Sequence, residues 1–122
     1  MRMKPLDPTF SIQQQLGLSD AGPVVLMNLF TLDADDEAAF LAAWAVDAAY
    51  MKARPGFIST QLHRALGTSP AYLNYAVWET LDAFRAAFSD PGFQAKLDDY
   101  PASAVATPHL FQRVAVPGVC TA

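Results

Sequence analysis

The chain has 122 residues, of which 52% are hydrophobic and 16% charged, and its net charge at pH 7 is −4. This length corresponds to one domain, and the composition excludes intrinsic disorder, which requires few apolar residues and many charges. The acidic balance and the scattered eight lysines and arginines leave no electrostatic footprint for nucleic acid. A small monomer has little interior, so the apolar excess predicts that a partner covers part of the surface.

Cysteine usage and hydropathy narrow the setting further. Cys120 is the only cysteine, which excludes an internal disulfide and a cysteine-based zinc site and is typical of a cytoplasmic protein. The sequence contains no apolar run of about 18 residues, so no membrane span is predicted. No apolar segment follows the two basic residues near the N-terminus, so we expect no signal peptide.

The N-terminal part of the chain divides into an arm, a strand and a helix. Residues 1–23 are interpreted as an arm with a short helical segment, ended by glycine and proline. Residues 24–32 (VVLMNLFTL) predict a strand whose only strongly polar interior residue is Asn28. Asp33 then offers an N-cap for a helix that runs to about residue 53. The acidic residues around Asp33 are explained by this helix start, not by a cation site.

The C-terminal part predicts two paired strands, a helix and a last strand. Residues 57–66 and 72–79 are joined by a short polar turn, as in an antiparallel hairpin. Thr80 is placed to cap a helix. The remaining predicted segments are a helix over residues 81–88, a further helical turn or two over 93–100, a loop over 101–107, a strand over 108–116 and a tail over 117–122.

The resulting β-α-β-β-α-β order predicts an α+β, ferredoxin-like fold. In this fold a four-stranded antiparallel sheet carries two helices on one face. The predicted first and third strands are apolar on both faces, and the helices cover only one. A second copy of the sheet is the simplest cover for the other face, so we expect a homodimer with stacked sheets. The alternative is a marginal monomer with an adhesive face.

Three residues stand out as candidates for chemistry. Asn74 and Trp78 are four apart in a strand and so share one face, and Asn28 is polar within an otherwise apolar strand. A buried asparagine needs hydrogen-bond partners, so these residues indicate either a pocket for a polar ligand or ordinary core and turn positions. Strand periodicity alone does not distinguish the two.

The sequence resembles the antibiotic biosynthesis monooxygenase family over residues 24–116. The resemblance is carried by VVLMNLF, by MKARPGFISTQLHR, by YLNYAVWETLDAFRAAFSDPGF and by HLFQRVAV. The spacing of Asn74 and Trp78 before a helix with Ala-Phe-Arg is its most specific element, and it is similar to that of the cofactor-independent anthrone oxygenases of aromatic polyketide pathways. The resemblance implies a dimeric α+β barrel in which the Asn/Trp face looks toward the protein's own helices.

The resemblance also implies a reaction. Such an enzyme removes a proton from a planar phenolic, anthrone or quinol-type compound, and the anion then reacts with O₂ without metal or flavin. Asn28, Asn74 and Trp78 occupy the catalytic positions. Asparagine amides donate to a developing oxyanion, and tryptophan stacks on a flat ring. The expected substrate-binding residues are Tyr72, Trp44, Phe40, Phe84 and Phe88, although Trp44 and Phe40 fit a core position equally well.

Several positions depart from relatives in the family. One branch uses a tyrosine and an arginine beyond the tryptophan, where this sequence has Phe84 and Asp98; Tyr50, Tyr72 and Arg85 are candidates to replace them. A haem-degrading branch uses a histidine ligand on the second helix, and residues 84–88 contain none, which disfavours haem cleavage. The chain has two histidines, His63 and His109. Each fits either a general base or a structural role.

Fold alone does not decide function, so two other functions are consistent with the sequence. One is a non-redox cyclase or isomerase on the same fold, and the other is a small-molecule-binding protein without turnover.

Overall fold

Five strands form one mixed sheet. They are β1 (Arg2–Met3), β2 (Val24–Thr31), β3 (Phe57–Arg64), β4 (Ala71–Trp78) and β5 (Val105–Phe111), in the spatial order β1-β5-β2-β4-β3. The pairs β2–β4, β2–β5 and β3–β4 are antiparallel, and β1 runs parallel to β5. The computed structural model describes residues 1–19 and 22–122; residues 20 and 21, which belong to the predicted arm, lie outside this description.

In the part of the chain that the structure describes, four helices connect the strands. They are α1 (Ile12–Leu16), α2 (Glu37–Lys52), α3 (Leu81–Phe88) and α4 (Pro91–Lys96), with 3₁₀ turns at Ala34–Asp36 and Leu97–Asp99. The predicted ferredoxin-like α+β fold is confirmed. The cap of α3 is formed as predicted, because the Thr80 hydroxyl accepts a hydrogen bond from the Ala83 N–H at 3.1 Å. No helix within the described residues is long and apolar enough to cross a bilayer.

The prediction for the start of α2 was wrong in detail. A 3₁₀ turn intervenes after Asp33, and the Asp33 side chain makes no capping hydrogen bond. Its backbone N–H instead donates to the Ser103 hydroxyl at 3.1 Å. This contact ties the end of β2 to the loop before β5.

The limits predicted for the last strand were also wrong, since it covers Val105–Phe111 and not 108–116. Pro108 lies in its middle, opposite Asn28 of β2. β1 ends at Met3, opposite Ala106, so Pro108 lies where β5 has a free edge, and a missing N–H costs no ladder bond there.

The predicted arm packs against the domain. Its strand β1 pairs with β5, so the sheet has one strand more than predicted. The side-chain amide of Gln15 donates to the Leu110 carbonyl at 3.0 Å and accepts from the Leu110 N–H at 2.9 Å. Arg85 of α3 donates to the carbonyls of Leu16 and Leu18 at 2.6 and 2.7 Å. These contacts fix α1 against the edge of β5 and against α3.

The inner face of the sheet packs against the helices in two separate clusters. The first surrounds Trp78, which is 1% exposed, and includes residues from α1 and α3. The second surrounds Phe40, which is fully buried, and includes Phe30 and Tyr100. The candidate active site lies between these two clusters.

Candidate active site

A cavity opens between the inner face of the sheet and the helices α2, α3 and α4. Its empty volume, including the solvent-open mouth, is about 560 Å³. Most of the lining is apolar. The polar or ring-bearing members of the lining include Asn28, Trp44, Asp47, Thr60, Asn74, Trp78, Phe84, Phe88 and Phe93.

Two asparagine amides lie side by side on the floor of this cavity. Asn28 of β2 is directly opposite Asn74 of β4 in the antiparallel register, a placement that brings their Cβ atoms within about 5 Å. The Thr60 hydroxyl of β3 donates to Asn74 Oδ1 at 2.5 Å. This bond occupies the carbonyl oxygen of the Asn74 amide and leaves its NH₂ group as the donor available to a ligand.

The Asn28 amide is not fully satisfied. Its Oδ1 atom is buried and has no hydrogen-bond partner among the described residues. A buried polar atom without a partner is uncommon in folded proteins. A ligand hydroxyl in the cavity would satisfy it.

Trp78 forms a rigid aromatic wall. Its ring contacts Phe57 edge-on, with centroids 5.4 Å apart, and Phe84 edge-on at 5.8 Å. Phe84 in turn contacts Phe88 at 5.4 Å. The result is a continuous cluster of aromatic rings along one side of the cavity.

A carboxyl group enters the cavity from α2. Asp47 is 9% exposed, and its Oδ2 atom accepts a hydrogen bond from the Tyr100 hydroxyl at 2.6 Å. Burial raises the pKa of the Asp47 carboxyl, while the Tyr100 hydrogen bond and the charge of Lys96 act in the opposite direction. Burial also raises the pKa of the Tyr100 hydroxyl, followed by the effect of Asp47, so Tyr100 stays a donor.

The structure brings most of the predicted site residues together. The residues of the prediction that line the cavity are Asn28, Asn74, Trp78, Trp44, Phe84 and Phe88.

Two predicted substrate-binding residues do not line the cavity, so the structure corrects their placement. Phe40 and Tyr72 pack on each other, with ring centroids 4.9 Å apart, and both belong to the core cluster around Phe40. The Tyr72 hydroxyl donates to Glu37 Oε1 at 2.7 Å. Tyr72 is on the correct sheet face, but it is opposite Phe30, one step along that face from Asn74, where the start of α2 covers the sheet.

The candidates to replace the missing tyrosine and arginine are also engaged elsewhere. Tyr50 donates a hydrogen bond to Asp90, and Arg54 and Lys96 lie over its ring. Arg85 holds the end of α1, as described above. With Tyr72 in the core, none of the three lines the cavity.

Both histidines lie away from the cavity. His63 is exposed on β3. His109 is buried on the outer face of the sheet, opposite Met27, and its ring contacts Phe111 at 5.5 Å. Among the described residues, no three or more His, Cys, Asp or Glu side chains are grouped so as to hold a metal ion.

The sequence interpretation missed two polar residues of the cavity, Asp47 and Thr60. A signal for Asp47 was present, because it is three residues after Trp44 and four before Met51 on the apolar stripe of α2. A charged residue on a buried helix stripe predicts a functional or paired carboxyl. Thr60 carried no such signal, since threonine is ordinary in a strand.

Comparisons with known proteins agree on one family. A family model described as antibiotic biosynthesis monooxygenase matches residues 23–97. Deoxynogalonate monooxygenase of Streptomyces nogalater is 39% identical over 74 residues, which is 61% of this chain and 62% of that enzyme. The match thus spans slightly less than two thirds of that relative's length.

Solved structures show the same likeness over a longer stretch. The crystal structure of SnoaB, a cofactor-independent oxygenase from Streptomyces nogalater, superposes with a TM-score of 0.72 at 32% identity, covering 80% of this chain and 99% of SnoaB. A mutant of SnoaB superposes with a TM-score of 0.71 at 30% identity, with the same coverage.

Proposed function

Because the chain belongs to the antibiotic biosynthesis monooxygenase family, we propose that it is a monooxygenase that oxidises a planar phenolic, anthrone or quinol-type compound with O₂ and needs no cofactor. The observation that carries the proposal is the pair of facing amides, Asn28 and Asn74, on the floor of a cavity walled by aromatic rings. The names of the relatives, a deoxynogalonate monooxygenase and a cofactor-independent oxygenase, support the same reaction class.

The geometry supports a defined task for each proposed catalytic residue. Loss of a proton from an anthrone or phenol places negative charge on the substrate oxygen. The NH₂ group of Asn74, oriented by Thr60, is placed to donate to that oxygen, and such a donor stabilises a developing oxyanion. Asn28 lies beside it and holds the second polar position.

Trp78 and the neighbouring phenylalanines serve a different purpose. Their rings, tilted or edge-on to one another, give the cavity an apolar aromatic wall against which an aromatic substrate packs. Apolar walls also exclude water from the reacting anion, which strengthens every hydrogen bond to it. O₂ is itself apolar and partitions into such a site.

The proposal includes a homodimer formed through the outer face of the sheet. Leu29 of β2 is 47% exposed on this face, opposite Leu73 of β4. Met27, Tyr75 and Val77 on the same face are not fully buried. Exposed apolar surface of this kind on a sheet is typical of an association surface.

Oxygen uptake with a panel of hydroquinones and anthrones tests the function. We expect protein freed of metals by chelation to consume O₂ with at least one member. Asn74→Ala is expected to lower kcat by about 10²- to 10³-fold, as for other oxyanion donors, and Trp78→Phe to weaken turnover less. Leu66→Ala is the matched control, because Leu66 is 94% exposed in the hairpin turn.

The outcomes separate the competing functions. Unchanged activity in both cavity variants would remove these residues from the site. Product formation under argon would favour the non-redox cyclase or isomerase. Tight binding of an aromatic compound without product would favour a binding protein.

A further inference from the structure

Asp47 differs from every other residue of the cavity. Of the described residues that line the cavity, it is the only one whose side chain carries an ionisable group. One of its oxygens, Oδ2, is held by Tyr100. The other, Oδ1, is buried and has no hydrogen-bond partner among the described residues.

This arrangement is not required for packing. A buried carboxylate is costly unless both of its oxygens are satisfied, and neighbouring positions on the same stripe of α2 carry Trp44 and Met51. Asp47 lines the same cavity as Asn28, whose Oδ1 atom also has no hydrogen-bond partner among the described residues. Two unsatisfied acceptors around one void indicate a ligand that brings donor groups.

From this geometry we infer that Asp47 is the general base of the reaction, accepting the substrate's proton on Oδ1 while Tyr100 holds Oδ2. The inference rests on the proposed function for its substrate class. Asp47 is then a catalytic residue, and Tyr100 is a positioning residue that acts through it.

The proton balance closes over one turnover. The Asp47 carboxylate takes H⁺ from the acidic C–H of an anthrone or O–H of a phenol, and the electron pair stays on the substrate as an enolate-type anion. That anion adds O₂ and becomes a peroxide anion. Asp47 returns its proton to the peroxide, which loses water and leaves the new carbonyl, so the carboxylate is regenerated.

The surroundings of Asp47 make its carboxylate a stronger base than that of an exposed aspartate. Burial raises its pKa, and the groups that lower it are the Tyr100 hydroxyl and the charge of Lys96 on α4. The sheet faces the cavity with neutral polar groups, those of Asn28, Thr60 and Asn74. A general base becomes more effective as its pKa is raised toward the working pH.

Hydrogen exchange under argon isolates the proton transfer from the reaction with oxygen. The probe is 1,8-dihydroxyanthrone in D₂O, and the measurement is the loss of its methylene proton signal by NMR. We expect the wild type to accelerate the exchange over buffer. Asp47→Asn, which keeps an acceptor for Tyr100, is expected to slow it by about 10²- to 10⁴-fold.

Two further variants separate catalysis from structure. Asp35→Asn makes the same chemical change at an exposed site outside the cavity, and its exchange rate should equal that of the wild type. Tyr100→Phe removes the hydrogen bond that lowers the pKa of Asp47. It should keep exchange activity while the pH profile of the rate moves to higher pH, a shift that general loosening of the fold would not produce.

The outcomes bear separately on Asp47 and on the monooxygenase. Exchange by the wild type that Asp47→Asn slows, without O₂ consumption in air, would support Asp47 as the base and overturn the monooxygenase. O₂ consumption combined with wild-type exchange in Asp47→Asn would overturn the inference and leave the monooxygenase standing. No acceleration of exchange by the wild type would overturn the inference as well.

Discussion

At the scale of single residues, the cavity depends on side chains that hold other side chains. Thr60 orients the Asn74 amide through one hydrogen bond, and Tyr100 fixes one oxygen of Asp47. Because an amide has a donor end and an acceptor end, its orientation decides whether it stabilises an anion or repels it.

Replacement of Thr60 tests this orientation. Thr60→Val keeps the shape of the side chain but removes the hydroxyl, so the Asn74 amide is free to rotate. We expect kcat/KM for the accepted substrate to fall by about tenfold, the equivalent of one ordinary hydrogen bond. Thr68→Val, in the exposed hairpin turn, is the matched control, and equal rates for Thr60→Val and the wild type would contradict the role.

The buried carboxyl also makes stability depend on pH. The pKa of Asp47 is raised in the folded state above the ordinary value of 3.8, so the unfolded chain releases this proton at lower pH than the folded protein does. The folded state is therefore penalised progressively as pH rises from about 3.8 toward the folded pKa. Asp47→Asn removes the penalty.

Urea unfolding at pH 4 and pH 7 measures this linkage. We expect the free energy of unfolding of Asp47→Asn, relative to that of the wild type, to be more favourable at pH 7 than at pH 4. Asp35→Asn should show no such difference between the two pH values. An advantage of Asp47→Asn that is the same at both pH values would show that the carboxyl is not strained by burial.

At the scale of elements, the turn between α2 and β3 sets how closely α3 approaches the sheet. Gly56 in this turn has φ of +85°, and its backbone carbonyl accepts from the Glu79 N–H at 2.8 Å. A Cβ atom at Gly56 would come within 2.3 Å of the Ala83 Cβ on α3. The glycine thus serves both the backbone conformation and the close packing of a helix that lines the cavity.

A pair of glycine variants separates these two effects. Gly67 in the hairpin turn has φ of +70° but nothing within 4 Å of the added Cβ, so Gly67→Ala should cost only the conformational term, about 1–2 kcal/mol. Gly56→Ala should cost a further 1–3 kcal/mol or so for the steric overlap. Urea unfolding gives both values, and equal losses would mean that α3 moves away freely.

At the scale of the whole molecule, the two faces of the sheet have different surroundings. The inner face is covered by the protein's own helices and encloses the cavity, while Leu29 and Ile58 are about half exposed, the first on the outer face and the second in a bulge of β3. In the proposed dimer a second copy would cover the outer face, as expected for an isologous interface.

Sedimentation velocity tests the assembly. We expect the wild type to sediment at twice the 13.2 kDa of one chain, and Leu29→Lys to shift it toward the monomer, because the interface would bury an unpaired charge. Leu66→Lys places the same charge on the exposed hairpin turn as a control. A wild type that stays monomeric at micromolar concentration would contradict the dimer.

The sequence by itself determined the order of the long elements. Local patterns such as the capped α3 and the apolar alternation in β2 and β4 are short-range, and each strand's period placed Asn74 and Trp78 on one face. Asn28 stood out as a polar residue in an otherwise apolar strand, but its place opposite Asn74 depends on strand register, a long-range property.

Only the tertiary structure decided what surrounds that face. The contact of Gln15 with β5, the position of Pro108 at a free edge and the hydrogen bonds of Thr60 and Tyr100 join residues that are 14 to 95 positions apart. No local periodicity encodes such pairs. Asp47 combines both kinds of information. Its place on the apolar stripe of α2 could be inferred from the sequence, whereas its unpaired oxygen follows from packing alone.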